Sequence, residues 1–166
     1  MKTIIHTEQE KIESVIRQCS ICHVGMADTD GIPYVLPMNF GYREGVVFLH
    51  SAQEGSHVDI LHRNPHVCVV FTSENELVCQ HPDVACSYRM RSETVIGWGK
   101  VVFEEDFDRK TEALDILMKQ YSDRQFRYSE PAVVNTKIWR IELKKVTCRS
   151  FGVPHGQTDN SRTKQV

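Results

Sequence analysis

Short apolar runs divided by tight turns follow one another so closely between Cys22 and Thr147 that parallel strands with helical crossovers do not fit among them. Cys22 to Ala27 reads as a strand. Asp28, Thr29, Asp30 and Gly31 form an Asp-Gly type turn into a second strand, Pro33 to Tyr42. A turn at Arg43, Glu44 and Gly45 leads to a third, Val46 to His50. His66 to Thr72, dense in Val and Phe, reads as a buried strand, and Leu77 to Cys79 continues it after a turn. The polar stretch His81 to Arg91, with Pro82, reads as a loop. Thr94 to Phe103 alternates around Gly97 and Gly99, which mark a bulge or a close approach by another group. Trp139, Ile141 and Leu143 alternate with Arg140 and Glu142, so Thr136 to Thr147 is the last strand expected.

Helical signals punctuate this series. Thr7 and Glu10 have capping-box spacing, and Ile12, Val15, Ile16 and Cys19 recur at helical period, predicting a helix over Thr7 to Gln18. Ser51 and Glu54 repeat the spacing ahead of Val58, Ile60 and Leu61, until Asn64 and Pro65 stop the helix. A strand running straight into a helix is a place for an anion, because the first helical turn offers unpaired N–H groups and a positive dipole end. Asp106 is an N-cap for a helix reaching Tyr121. Six or so strands with two longer helices predict a small β-barrel with flanking helices, an α+β fold, mostly antiparallel. Residues 1–151 are expected to form one domain. After Gly152 only Val153 and Val166 are aliphatic, which predicts a polar tail over 152–166.

Composition sets the limits on partners. Of 166 residues 40% are apolar and 25% charged, enough for a core that buries roughly 70% of the unfolded surface without disulfides or metal. A net charge of −2 and a pI near 6.4 give no electrostatic footprint for nucleic acid. No window nears the ~18 apolar residues of a membrane span, and Met1 to Glu10 is polar where a secretory signal turns apolar. A cytoplasmic protein without a membrane partner is expected. The surplus lies in six Cys and eight His. Cys19-Ser20-Ile21-Cys22-His23 has the spacing of c-type haem attachment or of a redox pair, but it sits at a helix-to-strand junction, and packed thiols are the expected reading. Cys79, His81 and Cys86 lack a second close Cys pair, so no metal is expected. Pro65 breaks the helix that would align His62 with His66. No GxSxG, Walker or GxGxxG motif is present, and Gly97-Trp98-Gly99 is too short for a phosphate loop.

Several separated motifs agree with one family. Pro33-Tyr34-Val35-Leu36-Pro37-Met38-Asn39-Phe40-Gly41-Tyr42, Val47-Phe48-Leu49-His50-Ser51-Ala52-Gln53-Glu54-Gly55, Asn64-Pro65-His66-Val67-Cys68 and Val95-Ile96-Gly97-Trp98-Gly99 resemble, in order and spacing, the pyridoxamine 5′-phosphate oxidase-like flavoproteins. Among them the chain is most similar to the 5-nitroimidazole resistance group. The resemblance spans about Cys19 to Thr147. It implies an FMN-binding split β-barrel working as a homodimer, with the flavin in a cleft between subunits. By that resemblance the phosphate lies at Ser51 to His57, through Ser51, Gly55, Ser56 and His57. Pro37, Met38 and Asn39 line the ring, and His50, Ser51 and Ala52 follow the ribityl chain and ring edge. Arg91, Thr94 and Val95 approach from the segment before the glycine-containing strand, across the dimer.

The chain departs from the family just after Gly55, where Arg or Lys is common and Ser56 and His57 stand here. FMN's phosphate carries up to about two negative charges. Ser56, His57, backbone N–H groups and Arg89 or Arg91 would therefore hold it, with an affinity that rises as His57 protonates. The expected activity is FMN-dependent reduction of a small molecule, such as a nitro compound, with NADH or NADPH as donor and His50 as the catalytic polar group. The alternative is a flavin- or haem-binding sensor or storage protein without turnover.

Overall fold

The computed structural model describes residues 2–153. In chain order its elements are β1 (Lys2–His6), α1 (Gln9–Gln18), β2 (Cys22–Ala27), β3 (Pro33–Met38), β4 (Gly41–Arg43), β5 (Val46–Ser51) and α2 (Ser56–Arg63). There follow β6 (His66–Thr72), β7 (Glu76–Val78), β8 (Arg89–Glu104), α3 (Phe107–Lys119), α4 (Glu130–Val134), β9 (Lys137–Glu142) and β10 (Lys145–Val153). The strands form one ten-stranded sheet with the path β3-β2-β6-β8-β9-β5-β4. All the pairings described are antiparallel, as the short connections require. β8 organises the sheet: β6 and β10 pair with its central stretch, β7 with its start and β9 with its end.

Alternation decides what is buried. Cys22, Val24 and Met26 of β2 face the same core as Val67, Val69 and Phe71 of β6, and Val47, Leu49, Trp139 and Ile141 extend it. Ile12, Val15 and Ile16 of α1 seal one side of this core. α3 packs on β4 and β5, and the approach is so close that a Cβ on Gly41 would stand 2.6 Å from the Leu117 backbone. Its N-cap is Asp106, whose carboxylate accepts the Arg109 N–H at 3.0 Å. Its far end is tied down by Tyr121, which donates to the Ser20 carbonyl and accepts the Phe40 N–H, both at 2.9 Å. Among the described residues no helix is long and apolar enough to cross a membrane.

Several boundaries differ from those expected. Pro33 to Tyr42 is two strands: β3 pairs β2, and the chain then crosses to pair β4 with β5. Phe40 sits at the crossing, fully buried with its ring centroid 4.9 Å from that of Phe71, so the apolar alternation runs unbroken through the change of partner. Thr136 to Thr147 is likewise broken at Leu143 and Lys144, whose N–H groups go to Gly45 in the β4–β5 turn and to Trp98 of β8. Neither capping box forms. Glu8 and Gly55 occupy the N-cap positions of α1 and α2, and Thr7 and Ser51 lie outside the helices. β1 was not anticipated; it pairs with β10, and a chain of contacts from His6 through Ser150 to Glu93 and Lys11 fastens it. The expected loop over 81–91 holds a 3-10 turn at Ala85–Ser87 and the start of β8. Of the expected tail, Gly152 and Val153 belong to β10, and residues 154–166 fall outside those described.

Candidate functional site

Two surfaces meet where β5 ends. Val47, Leu49 and Ser51 share the core face with Trp139 and Lys137 of β9, whereas His50 points to the opposite face beside Ile138. β4 pairs with β5 from Gly41 to Arg43, and Asn39 precedes it where the chain crosses over from β3. Pro37 and Asn39 are exposed, with Met38 half-buried between them. The crossover from β3 to β4 thus carries Pro37, Met38 and Asn39, and the exit of β5 carries His50, Ser51 and Ala52, with β4 leading from one segment to the other. The surrounding protein desolvates His50 and lowers its pKa below the ordinary imidazole value.

The Ser51 hydroxyl accepts the Trp139 indole N–H at 3.0 Å and donates to the Ala52 carbonyl at 2.8 Å, which fixes the exit of β5. Gly55 then makes the bend into α2 at φ 134°, a conformation essentially reserved for glycine. Its carbonyl accepts the Val58 and Asp59 N–H groups at 2.9 and 3.1 Å and starts the helix. His57 folds back across Gly55 and lies on Trp139, ring centroids 5.5 Å apart. Its Nε2 is buried without a hydrogen-bond partner. Burial lowers its pKa, and Asp59 opposes that in part. Burial thus favours the neutral form of His57, with a ring nitrogen that has no partner among the described residues.

Lys137 was not singled out from sequence. It is register partner to Ser51, only 9% exposed, with its ammonium 3.2 Å from Glu105 and 4.8 Å from the Phe103 ring centroid. Lys110, also buried, reaches the Thr136 carbonyl at 2.9 Å and the same Glu105 carboxylate at 3.9 Å. Two buried cations thus share one acid at the end of β9. A lysine leading a run of Ile and Trp was the available signal.

Arg91, Thr94 and Val95 do not join this cluster within one chain. Val95 shares a row with Phe71, Cys22 and Met38 across β8, β6, β2 and β3, three strand spacings, or about 14 Å, from Met38. Its side chain is fully buried in the core. Thr94 faces outward, and Arg91 is exposed in an ion pair with Glu76 at 2.8 Å.

The cysteines sort by burial. Cys19, Cys22 and Cys148 are buried and Cys68 half-buried. Burial pushes the Cys19 and Cys22 thiols up to about 11 and about 12, so neither offers the thiolate that redox exchange requires. Cys79 and Cys86 are exposed, and among the described residues no three His, Cys, Asp or Glu gather as metal ligands.

The antiparallel sheet and its flanking helices define a recognised class. Residues 8–150 match the family model of pyridoxamine 5′-phosphate oxidase, and the chain belongs to that family. Within it, the chain is similar to a proposed 5-nitroimidazole antibiotic resistance protein of Bacteroides thetaiotaomicron VPI-5482. The two are 46% identical over 90% of this chain and 87% of that one, with a TM-score of 0.81. The flavocytochrome Anf3 of Azotobacter vinelandii (18% identity, 90% of this chain and 70% of that one, TM-score 0.77) shares the fold. So does the FAD and heme binding protein of Mycobacterium smegmatis (16%, 97% and 78%, TM-score 0.79). No curated protein matches.

Proposed function

We propose that the chain is an FMN-dependent oxidoreductase, a homodimeric split β-barrel that passes electrons from NADH or NADPH to an oxidised small molecule, with nitro compounds such as 5-nitroimidazoles as the substrate class. One observation carries the reading: at the N-terminus of α2, just past the strand end that carries His50, the Nε2 of His57 is buried and has no partner among the described residues. A phosphate there meets the first-turn N–H groups, the Ser56 hydroxyl and the His57 nitrogen, and the Ser51 hydroxyl reaches it by turning its proton from the Ala52 carbonyl; the register partner of Ser51, Lys137, holds its ammonium at Glu105. A neutral imidazole still donates through one N–H, so the low pKa of His57 is compatible with this role.

The flavin, when bound, supplies the one- and two-electron chemistry. Pro37, Met38 and Asn39 line its ring, and His50 holds a hydrogen bond or a proton at the ring edge. The second copy is drawn in by the β7–β8 arm, which exposes Leu77 (63%) and Met90 (47%) as cross-strand partners, with Val84 and Tyr88 also open to solvent. Docking of that arm carries Arg91 and Thr94 to the neighbouring site.

Purified protein is expected to absorb near about 450 nm, to bleach anaerobically with NADH or NADPH, and to recover on adding a nitroimidazole. Failure to take up FMN at saturation would refute the reading, and a Soret band in its place would favour haem binding without turnover. A finer expectation follows from His57. An anion at Nε2 raises a pKa that burial had lowered, so flavin affinity should increase as pH falls from about 8 to about 5.5. His57→Ala should bind more weakly and with a flatter profile in a titration of FMN fluorescence. A mutant profile as steep as that of the wild type removes His57 from the site.

A further inference from the structure

Gly97-Trp98-Gly99, too short for a phosphate loop, does something else in the fold. A Cβ on Gly99 would lie 2.5 Å from the Glu142 carbonyl, and one on Gly97 would press on the Leu143 side chain. The two glycines let the bent junction of β9 and β10 close against β8, with the Lys144 N–H donating to the Trp98 carbonyl at 2.9 Å. Trp98, fixed between them, is turned away from the core and remains 38% exposed. It lies in a groove of about 520 Å³ lined also by Val102, His66, Lys100, Arg140 and Lys145. That volume is within the range of small-molecule sites, roughly 300–1,000 Å³.

The groove's charge is one-sided. Its Glu142 is paired with Lys144 and also feels the charge of Arg140, while Lys100 and Lys145 make no ion pair among the described residues. The Lys145 ammonium lies 5.1 Å from the Trp98 ring centroid, so an aromatic surface and a cation are presented together. None of the residues assigned to the flavin lines this groove.

We propose that the Trp98 groove is a second binding site, for a nucleotide: its planar base packs on the indole and its phosphates pair with Lys100, Arg140 and Lys145. An aromatic platform among four cations and one acid suits a molecule that is both flat and anionic, and either property alone would leave half of the lining unused. Binding itself is independent of the flavin reading. That the occupant is the dinucleotide donor, and not a free nucleotide, rests on that reading.

The protein has two tryptophans, and Trp139 is fully buried, so quenching by a ligand at the surface reports on Trp98. Full-length protein titrated with ADP at low salt should show saturable quenching, confirmed by calorimetry. Trp98→Ala should weaken calorimetric binding by about fivefold or more. Lys100→Ala with Arg140→Ala should weaken it further and reduce its dependence on salt. Absorbance at about 450 nm per chain should be the same in these variants as in the wild type, which separates this test from that of the flavin. If Trp98→Ala melts early, Trp98→Leu should show the same loss of binding. Tighter binding of NADH or NADPH than of ADP would identify the donor, and equal binding a free nucleotide; either result supports the site. Absence of ADP binding, wild-type affinity in Trp98→Ala and Trp98→Leu, or pyrophosphate binding as tightly as ADP would each overturn it.

Discussion

Trp139→Ala is expected to lose about 3–5 kcal/mol of stability, in the range for deleting a large buried aromatic side chain. For a chain of this size that lowers the Tm by roughly 6–20 °C. The indole is fully buried, stands between the rings of His57 and Phe103, and holds the Ser51 hydroxyl. Its loss removes packing from β5, β8, β9 and α2 together and frees the exit of β5. Flavin affinity should therefore fall more than in Ser51→Ala, which loses only the two hydrogen bonds of the hydroxyl, about 1 kcal/mol each. Urea unfolding of the flavin-free variants, with FMN titration of each, measures both effects. A loss below about 1 kcal/mol in Trp139→Ala would mean that α2 is not held by this ring.

How far the fold was legible depends on whether a change of partner left a mark in the sequence. β2 and β6 match their expected ranges residue for residue, because each alternating run is bounded by a turn or by Pro65. The β3–β4 and β9–β10 breaks left no such mark. At each the apolar pattern continues, through Phe40 in one and Leu143 in the other, while hydrogen bonding passes to a different strand. Gly97 and Gly99 were readable as a bulge or a close approach, but not what approaches them, which is Leu143 and Glu142 at the β9–β10 junction. β1 escaped for a related reason: its pairing with β10 joins the two ends of the described chain, and no local signal reports a partner so distant.

The site divides in the same way. That Ser51 to His57 joins a strand to a helix N-terminus was visible locally, although the cap proved to be Gly55. The inward turn of His57 was not, because it depends on Trp139, and Lys137 stayed hidden because its pairing with Ser51 is a matter of sheet register. The resemblance located Arg91, Thr94 and Val95 as a segment but could not say which side chains face out. Strand alternation answers that by burying Val95.

Gly55→Ala is the substitution that most directly tests this junction. At φ 134° and ψ 165° a side chain is strained by about 1–3 kcal/mol, and the new Cβ would stand 2.9 Å from Cε1 of His57. The histidine is the movable partner in that clash. Relief displaces it from Trp139 and carries its Nε2 away from the helix N-terminus, or else the backbone rotates and turns the first N–H groups of α2 off their common direction. Either response damages an anion site more than it damages the core, since the core residues Val58 and Leu61 lie deeper in the helix. FMN affinity is accordingly expected to drop by about tenfold or more, while the Tm of the flavin-free protein falls by only a few degrees. Gly31→Ala is the matched control: Gly31 also has a positive φ, 82°, but nothing lies within 4 Å of the Cβ it would gain, and it sits in the β2–β3 turn. If Gly55→Ala and Gly31→Ala lose stability alike and both keep wild-type flavin affinity, the phosphate does not lie at the start of α2.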